Sequence, residues 1–225
     1  MSHGKQFTLY SHDRGPNGWK VAFALEELGL TYETIYLNFQ EGEHKKPEFT
    51  KFNPNGRIPA LIDHKNNDFV IWESNAILLY LVDKYDTEKR ITVPDGDEKF
   101  QLLQWLFFQA SGQGPYFGQA AWFALFHPER IESATDRYKK EIIRVLGVLE
   151  TVLSKQEWLV GGKLTIADLS FITWNNFAFN VILQGYESFN LQKDFPSVAA
   201  WHNKLLATPS VKKTLDVREA LISKK

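Results

Sequence analysis

The segment Arg57-Ile58-Pro59-Ala60-Leu61-Ile62 decides the fold, because it places a proline at the start of a short apolar run that is typical of a buried strand. Proline has no amide hydrogen, so Pro59 removes one hydrogen bond from the sheet and frees neighbouring backbone groups. If the Ile58–Pro59 peptide bond is cis, the backbone of Ile58 faces outward and can pair with an extended, peptide-like ligand. The segment by itself leaves the choice between cis and trans open.

A second segment, Trp72-Glu73-Ser74-Asn75-Ala76-Ile77, marks the start of a helix. Serine often caps helices, and the unpaired N–H groups of a first helical turn can hold a carboxylate. Glu73 adds a negative charge that suits an ammonium group. The Glu73-Ser74 pair therefore predicts either a plain helix cap or a site for a ligand that carries both an α-amine and an α-carboxylate.

The first third of the chain alternates between strand-like and helix-like patterns, which predicts an α/β domain over residues 5–87. Residues 86–97 lose the apolar pattern and form the expected linker. Only helical patterns follow, so residues 97–225 are expected to form an all-helical second domain. The expected strands are 7–10, 34–37, 60–62 and 69–72, and the expected helices of the first domain are 19–28 and 74–85.

Two patterns support the helical domain. Apolar residues recur every three or four positions along one stretch, which places them on one face of a long helix. Thr165 and Asp168 have the spacing of a capping box, and this structural role is favoured over a catalytic role for Asp168. The residues of the apolar face are Tyr138, Ile142, Val145, Leu149 and Val152.

The composition excludes several classes of function. Lysine plus arginine number 26 against 27 aspartate plus glutamate, so no excess positive charge would attract nucleic acid or an anionic membrane. The chain has no cysteine, which excludes disulfides, thiolate metal sites and a cysteine nucleophile of its own. No stretch is apolar enough to cross a membrane. We therefore expect a cytoplasmic protein with no metal site, whose thiol chemistry depends on a borrowed thiol.

The stretch SHDRGPNGWK, residues 11–20, lies between the first expected strand and the first helix, where α/β proteins usually bind ligands. Asn17-Gly18 at the helix entrance is, by residue type alone, most often a turn with a helix cap. Its amide could instead donate a hydrogen bond to an anion. Tyr10 and Ser11 end the strand beside the same entrance and are the competing donors.

Several of these segments together carry a family resemblance. The chain resembles the cytosolic glutathione transferases over essentially its whole length, in FNPNGRIPALID (52–63), WESNAILLYL (72–81) and LTIADLSF (164–171). Within that family it is similar to the fungal group of the yeast nitrogen-catabolite regulator, with bacterial nu-class enzymes as kin. That similarity lies in PNGWKVAFALEELGL (16–30), NFQEGEHKKPEF (38–49) and WLFFQASGQGPYFGQA (105–120).

The resemblance implies a thioredoxin-like N-terminal domain, a helical C-terminal domain, a homodimer and a cis Ile58–Pro59 bond. It also implies how glutathione would bind. The backbone of Ile58 would pair with the cysteinyl part, Glu73 and Ser74 would hold the γ-glutamyl end, and His44 would lie near the glycyl end. Lys45 and Arg57 are its implied neighbours.

Asn17 matches the position where this fungal group has asparagine in place of the serine, tyrosine or cysteine of other classes. The implied role of Asn17 is therefore to stabilise the glutathione thiolate by donating a hydrogen bond to sulfur. The aromatic stretch 105–126 is favoured as helix packing, but Trp122 and Phe126 are the candidates for a cleft that holds the second substrate.

The implied function is a glutathione transferase that activates the glutathione thiol for attack on electrophiles, disulfides or peroxides. Glutathione would be a co-substrate, and no bound cofactor is expected. The alternative is a non-enzymatic regulatory or ligand-binding protein, because the nitrogen regulator shares the fold. That regulator carries a long extension rich in asparagine and glutamine, whereas about six residues precede the first expected strand here, so we expect no prion-like assembly.

Overall fold

The structure is a computed structural model that describes residues 4–187 and 189–223. The chain divides into two compact units, one formed by Met1–Ile91 together with Ala207–Lys225 and the other by Thr92–Leu206. The expected division at residues 86–97 falls close to the junction after Ile91. The segment Ala207–Lys225 differs from the expected division, because it belongs to the first unit and not to the helical one. The limits 5–87 and 97–225 stay predictions.

A four-stranded mixed sheet forms the centre of the first unit, in the order β2-β1-β3-β4. β1 runs parallel to β2 and antiparallel to β3, and β3 runs antiparallel to β4. This arrangement confirms the predicted thioredoxin-like α/β fold. The strands are β1 (Phe7–Ser11), β2 (Tyr32–Tyr36), β3 (Ala60–Asp63) and β4 (Phe69–Trp72).

Three helices and two 3₁₀ turns accompany the sheet, and the C-terminal helix completes the unit. The helix that follows β1 buries Trp19 to Leu25 almost completely, because its apolar residues face both the sheet and neighbouring helices. The helices are α1 (Pro16–Glu27), α2 (Pro47–Thr50) and α3 (Ser74–Tyr85), and the 3₁₀ turns are Glu43–Lys45 and His64–Asn66.

The helical unit contains α4 (Asp97–Phe108), α5 (Gly114–Ala121), α6 (Glu132–Leu153), α7 (Ile166–Phe177), α8 (Leu191–Asp194) and α9 (Pro196–Ala207), whose last residue passes into the first unit. Three π-helical segments interrupt it, at Gln109–Gln113, Trp122–Phe126 and Ala178–Ile182. Three residues of the predicted apolar face of α6 are fully buried, which confirms that part of the prediction. They are Ile142, Val145 and Leu149.

The last helix, α10 (Pro209–Ile222), packs against α1 within the first unit. An ion pair joins the two helices, with Lys213 Nζ 2.7 Å from Glu26 Oε2. Arg218 also donates to the carbonyl oxygen of Arg14 in the loop before α1, at 3.2 Å. The C-terminal helix therefore supports α1 and the loop in front of it.

The predicted capping box is confirmed at the start of α7. Asp168 Oδ2 accepts hydrogen bonds from the backbone N–H and the hydroxyl of Thr165, both at 2.9 Å. Asp168 Oδ1 accepts from the backbone N–H of Leu159 and from Trp201 Nε1, both at 3.0 Å. Since the whole carboxylate is buried and satisfied by protein groups, Asp168 has the structural role that was favoured for it.

Candidate active site

The entrance of α1 is built by a close contact with β1. Gly15 stands at the N-cap position, Pro16 is the first helical residue and Asn17, half-buried, is the second. Proline suits that place because the first helical N–H has no partner within the helix and the φ angle of proline is already helical. Asn17 therefore lies in the turn whose backbone N–H groups point toward the helix entrance.

Gly18 is the residue that allows this approach. A Cβ atom at Gly18 would lie 1.9 Å from Ser11 Oγ and 2.8 Å from Ser11 Cβ, so no other residue fits without displacing the helix from the strand. The glycine thus sets the position of its neighbour Asn17. This requirement explains the Asn-Gly pair better than a simple turn does, because both residues are helical.

The competing donors Tyr10 and Ser11 are both engaged in packing. Ser11 is buried beneath Gly18. The Tyr10 ring packs on Phe49 and Phe52, with centroid distances of 5.5 and 5.2 Å, and burial raises the pKa of its hydroxyl. These surroundings favour Asn17 as the donor to an incoming sulfur.

The loop before α1 is held by His12, whose role within the loop the sequence did not reveal. Its Nδ1 atom accepts hydrogen bonds from the backbone N–H groups of Arg14, at 3.2 Å, and Gly15, at 3.1 Å. Nδ1 is also 3.2 Å from Asp13 Oδ1, but as an acceptor of two N–H groups it carries no proton to share. The loop therefore depends on the His12 ring nitrogen as an acceptor.

Gly15 packs between this loop and the residue before the cis proline. A Cβ atom at Gly15 would lie 3.2 Å from Ile58 Cδ1 and 3.3 Å from His12 Cβ. The Ile58–Pro59 bond is cis, as the resemblance implies. The N-cap residue of α1 therefore lies close to the side chain of Ile58.

The basic residues of the predicted glycyl end lie around two loops that are tied together. Lys45 Nζ donates to the carbonyl oxygen of Gly56 at 2.9 Å, next to Arg57. The ring of His44 lies on Phe39 at 4.2 Å, and Phe39 lies on His12 at 4.3 Å. Burial lowers the pKa of His44, and the positive charges of Lys45 and Arg57 lower it further.

The start of α3 differs from the expectation for Ser74. Of the two alternatives for the Glu73-Ser74 pair, a plain cap by Ser74 is excluded, because Glu73 occupies the N-cap position and Ser74 is the first helical residue. The reason is the backbone of Glu73, which has a φ of 70°, a value that non-glycine residues rarely adopt. Such strain is typical of functional sites.

Behind Ser74 lies Lys20 of α1, which the sequence analysis also missed. Lys20 is 1% exposed, and its Nζ atom donates to Ser74 Oγ at 3.4 Å. Burial lowers the pKa of Lys20 to about 7, although the charge of Glu73 raises it. A lysine inside an otherwise apolar helical pattern was the signal that could have revealed it.

The predicted glutathione residues belong to the first unit, whereas the predicted cleft residues belong to the second. Trp122 is 47% exposed and Phe126 is 63% exposed, both on the π-helical segment. Phe123, on the same segment, instead stacks on Tyr138 with a centroid distance of 5.6 Å. The exposed pair is thus available to an apolar ligand, while its neighbour packs inward.

The described part of the chain has neither a cluster of metal-binding side chains nor a helix that could span a membrane. Residues 4–187 and 189–223 contain no group of three or more histidine, aspartate or glutamate side chains that could hold a metal ion. No helix in those same ranges has the length and apolar character needed to cross a membrane.

Comparison with known families matches residues 5–83 to the glutathione S-transferase N-terminal domain and residues 115–209 to its C-terminal domain. Glutathione S-transferase 1 of Schizosaccharomyces pombe is 54% identical over 95% of this chain and 96% of its own length. The transcriptional regulator URE2 of Saccharomyces cerevisiae is 41% identical over 93% of this chain and 67% of its own length.

A solved structure gives the same result. The glutathione transferase URE2P6 of Phanerochaete chrysosporium, crystallised with oxidized glutathione, has a TM-score of 0.94 and 62% identity, covering 98% of this chain and 99% of that one. Both the α/β unit and the helical unit are thus shared with a full-length relative. The chain belongs to the glutathione S-transferase family, close to its Ure2-like fungal members.

Proposed function

We propose that this protein is a glutathione transferase in which Asn17 stabilises the thiolate of bound glutathione for attack on an electrophile. The observation that carries the proposal is the packing of the α1 entrance. Gly18 lies against Ser11 and Gly15 lies against the side chain of Ile58, and both contacts support Asn17 as a donor close to the cysteinyl residue of a bound glutathione. A sulfur held there lies within reach of the Asn17 amide and the first turn of α1.

A hydrogen bond from Asn17 and the N-terminus of α1 together supply enough free energy to lower the pKa of the glutathione thiol. An ordinary thiol has a pKa near 8.5, so only about 3% of it is thiolate at neutral pH. Lowering that pKa by about two units requires about 2.7 kcal/mol of preference for the anion. A hydrogen bond to a charged group contributes about 1.5 to 3 kcal/mol, and a helix N-terminus adds roughly 0.3 to 1 kcal/mol. The amide does not need to accept the proton, which leaves to solvent.

The rest of glutathione would be held by charge complementarity. Its α-ammonium group suits the carboxylate of Glu73, and its α-carboxylate suits Ser74 and the first turn of α3. Its glycyl carboxylate suits Lys45 and Arg57, beside His44. Burial and the positive charges of Lys45 and Arg57 lower the pKa of His44, which favours its neutral ring in the protein without ligand.

The second substrate is an apolar electrophile, a disulfide or a peroxide, with Trp122 and Phe126 as its proposed contacts. With a chloro-dinitrobenzene the thiolate sulfur forms the new carbon–sulfur bond and chloride leaves. With a disulfide the thiolate forms a mixed disulfide and releases the other sulfur as a thiolate.

The proposed assembly is a homodimer. Phe69, 43% exposed, and Trp72 lie on the edge strand β4, and Phe100 and Phe107 lie exposed on α4. Large apolar side chains that are exposed to solvent mark interaction surfaces. We assign these surfaces to a second copy of the chain.

Substitution of Asn17 tests the proposed function. In Asn17→Ala we expect the turnover number with 1-chloro-2,4-dinitrobenzene to fall by about 10² because the amide donor is lost, while glutathione binding measured by calorimetry stays within about threefold. Tyr10→Phe and Ser11→Ala are the matched controls and should retain most of the activity. Unchanged turnover in Asn17→Ala, with loss in either control, would transfer the role to Tyr10 or Ser11.

A regulatory protein is the second candidate, favoured by the 41% identity to the transcriptional regulator URE2. The two functions differ in turnover. A purely regulatory protein would bind glutathione without accelerating its conjugation or its reaction with disulfides, whereas the proposed enzyme does both at catalytic protein concentrations.

A further inference from the structure

Lys20 is a buried cation that the proposed function leaves without a role. It lies on α1, one turn beyond Asn17, and is 1% exposed among apolar neighbours such as Val21 and Phe23. Taking an ammonium group out of water is costly unless another group compensates it. A fully buried lysine next to a predicted binding site is therefore a candidate for function.

The direction of its hydrogen bond determines what Ser74 can do. An ammonium group has donors only, so Lys20 Nζ donates and Ser74 Oγ accepts at 3.4 Å. The hydroxyl hydrogen of Ser74 is thereby turned away from Lys20. At the same place, the N–H groups of the first turn of α3 have no partner within the helix.

We propose that Lys20 is a positioning residue for the α-carboxylate of the γ-glutamyl group. Acting through Ser74, it orients the hydroxyl as a donor to that carboxylate and places a positive charge behind it. This inference rests on the proposed function, because it needs glutathione bound with its γ-glutamyl end at Glu73 and Ser74. It adds a cation to a subsite whose other proposed members are Ser74, the first turn of α3 and the carboxylate of Glu73.

The charge of Lys20 should respond to the ligand. Burial brings its pKa to about 7, and Glu73 is the charged group that counteracts this shift. A ligand carboxylate at Ser74 adds a second negative charge, so binding raises the pKa of Lys20 and takes up a fraction of a proton near neutral pH.

The test compares two ligands whose sulfur is blocked, so that the thiol does not titrate. The first is S-hexylglutathione, and the second is the S-hexyl derivative of 4-aminobutyryl-cysteinyl-glycine, which lacks only the α-carboxylate. Calorimetry slightly below neutral pH should show that Lys20→Met lowers the affinity for the first ligand about tenfold and the affinity for the second by less than about twofold. Equal losses for the two ligands, or no loss, would overturn the inference.

Three controls separate positioning from a structural effect. Lys84→Met, an exposed change on α3, should alter neither affinity. In a double-mutant cycle of Lys20→Met and Ser74→Ala, the losses of affinity for S-hexylglutathione should not add, since one residue acts through the other. Lys20→Arg, which keeps the positive charge, should recover part of the affinity for S-hexylglutathione, whereas fully additive losses would contradict the proposed route through Ser74.

The wild-type protein provides a test that does not depend on variants folding. Calorimetry in buffers of different ionisation enthalpy should show more proton uptake with S-hexylglutathione than with the carboxylate-free ligand, since both ligands carry the glycyl carboxylate and only the first carries the α-carboxylate. Equal uptake with both would overturn the inference. If S-hexylglutathione does not bind the wild-type protein at all, the proposed function fails, whereas binding that is insensitive to Lys20 overturns only the present inference.

Discussion

At the scale of single residues, the site depends on Gly18, because this residue has no side chain. Asn17 can serve a bound sulfur only if α1 lies close against β1, and Gly18 makes that approach possible above Ser11. The helix also needs His12 Nδ1 to hold the backbone of Arg14 and Gly15. The position of one amide thus depends on several neighbours that never touch a ligand.

Replacing Gly18 by alanine tests this dependence. The new Cβ would lie 1.9 Å from Ser11 Oγ, so the helix must shift. We expect Gly18→Ala to lower the free energy of unfolding by about 1 to 3 kcal/mol and to reduce turnover about tenfold or more, measured by denaturant titration and by conjugation rate.

Gly147 on α6 provides the matched control, because a Cβ there meets nothing within 4 Å. Gly147→Ala should raise the free energy of unfolding by about 0.5 to 1 kcal/mol through helix propensity, with activity unchanged. If both alanine variants behave alike, the contact between α1 and β1 does not position Asn17.

The sequence predicted the residues that carry a recognisable chemical type, but not those that act through packing. The cis Ile58–Pro59 bond and the buried capping-box aspartate Asp168 are as expected. Lys20 was missed because its role depends on Ser74, a residue of a distant segment, and the part that His12 plays in its own loop was not predicted. The sequence could not exclude Ser74 as the helix cap, because it does not reveal the positive φ of Glu73.

At the scale of elements, the capping box at the start of α7 joins this helix to its neighbours in the helical unit. Asp168 receives hydrogen bonds from Thr165, Leu159 and Trp201, which join the start of α7 to the preceding loop and to α9. An amide in its place would direct an NH₂ group at donors that need an acceptor.

We therefore expect Asp168→Asn to lower the free energy of unfolding by about 2 to 4 kcal/mol, measured by denaturant titration. Asp216→Asn, an exposed change on α10, should stay within about 0.5 kcal/mol of the wild type. A small loss in Asp168→Asn would mean that the buried carboxylate is not needed as an acceptor.

His202 on α9 makes the stability of the helical unit depend on pH. Burial lowers its pKa to about 4, and its Nε2 atom lies 3.2 Å from Asn176 Oδ1 on α7. The ordinary histidine pKa is 6.5. Between these two values the unfolded chain binds more protons than the folded one, so the free energy of unfolding falls as pH decreases through this window.

The expected loss amounts to about 3 kcal/mol once His202 is protonated. It is measured as the difference in pH dependence between the wild type and His202→Gln, in which this titration is absent. Parallel curves for the two proteins would show that His202 does not carry the effect.

The order of elements was predictable from apolar periodicity, but some of their partners were not. All four strands lie within two residues of their predicted bounds. α10 was assigned to the helical domain because it follows other helices in the chain, whereas it packs against α1. Periodicity identifies the apolar face of a helix but not the element that covers it.

At the scale of the whole molecule, the proposed homodimer places a second copy on the edge strand β4. Phe69→Lys puts a charge into that surface and should reduce the mass measured by sedimentation from twice 26.0 kDa toward a single 26.0 kDa chain. Ile35→Lys on the opposite edge strand, β2, is the matched control and should leave the dimer intact. Dissociation by Ile35→Lys alone would move the interface to the other edge.

The central claim is that a neutral amide at the entrance of α1 lowers the pKa of a borrowed thiol. Its most direct measurement is the ultraviolet absorbance of the thiolate of bound glutathione as a function of pH, in the wild type and in Asn17→Ala. The account predicts a thiol pKa of about 6.5 in the wild type and a rise of at least about one unit in the variant. The same pKa in both proteins would contradict it.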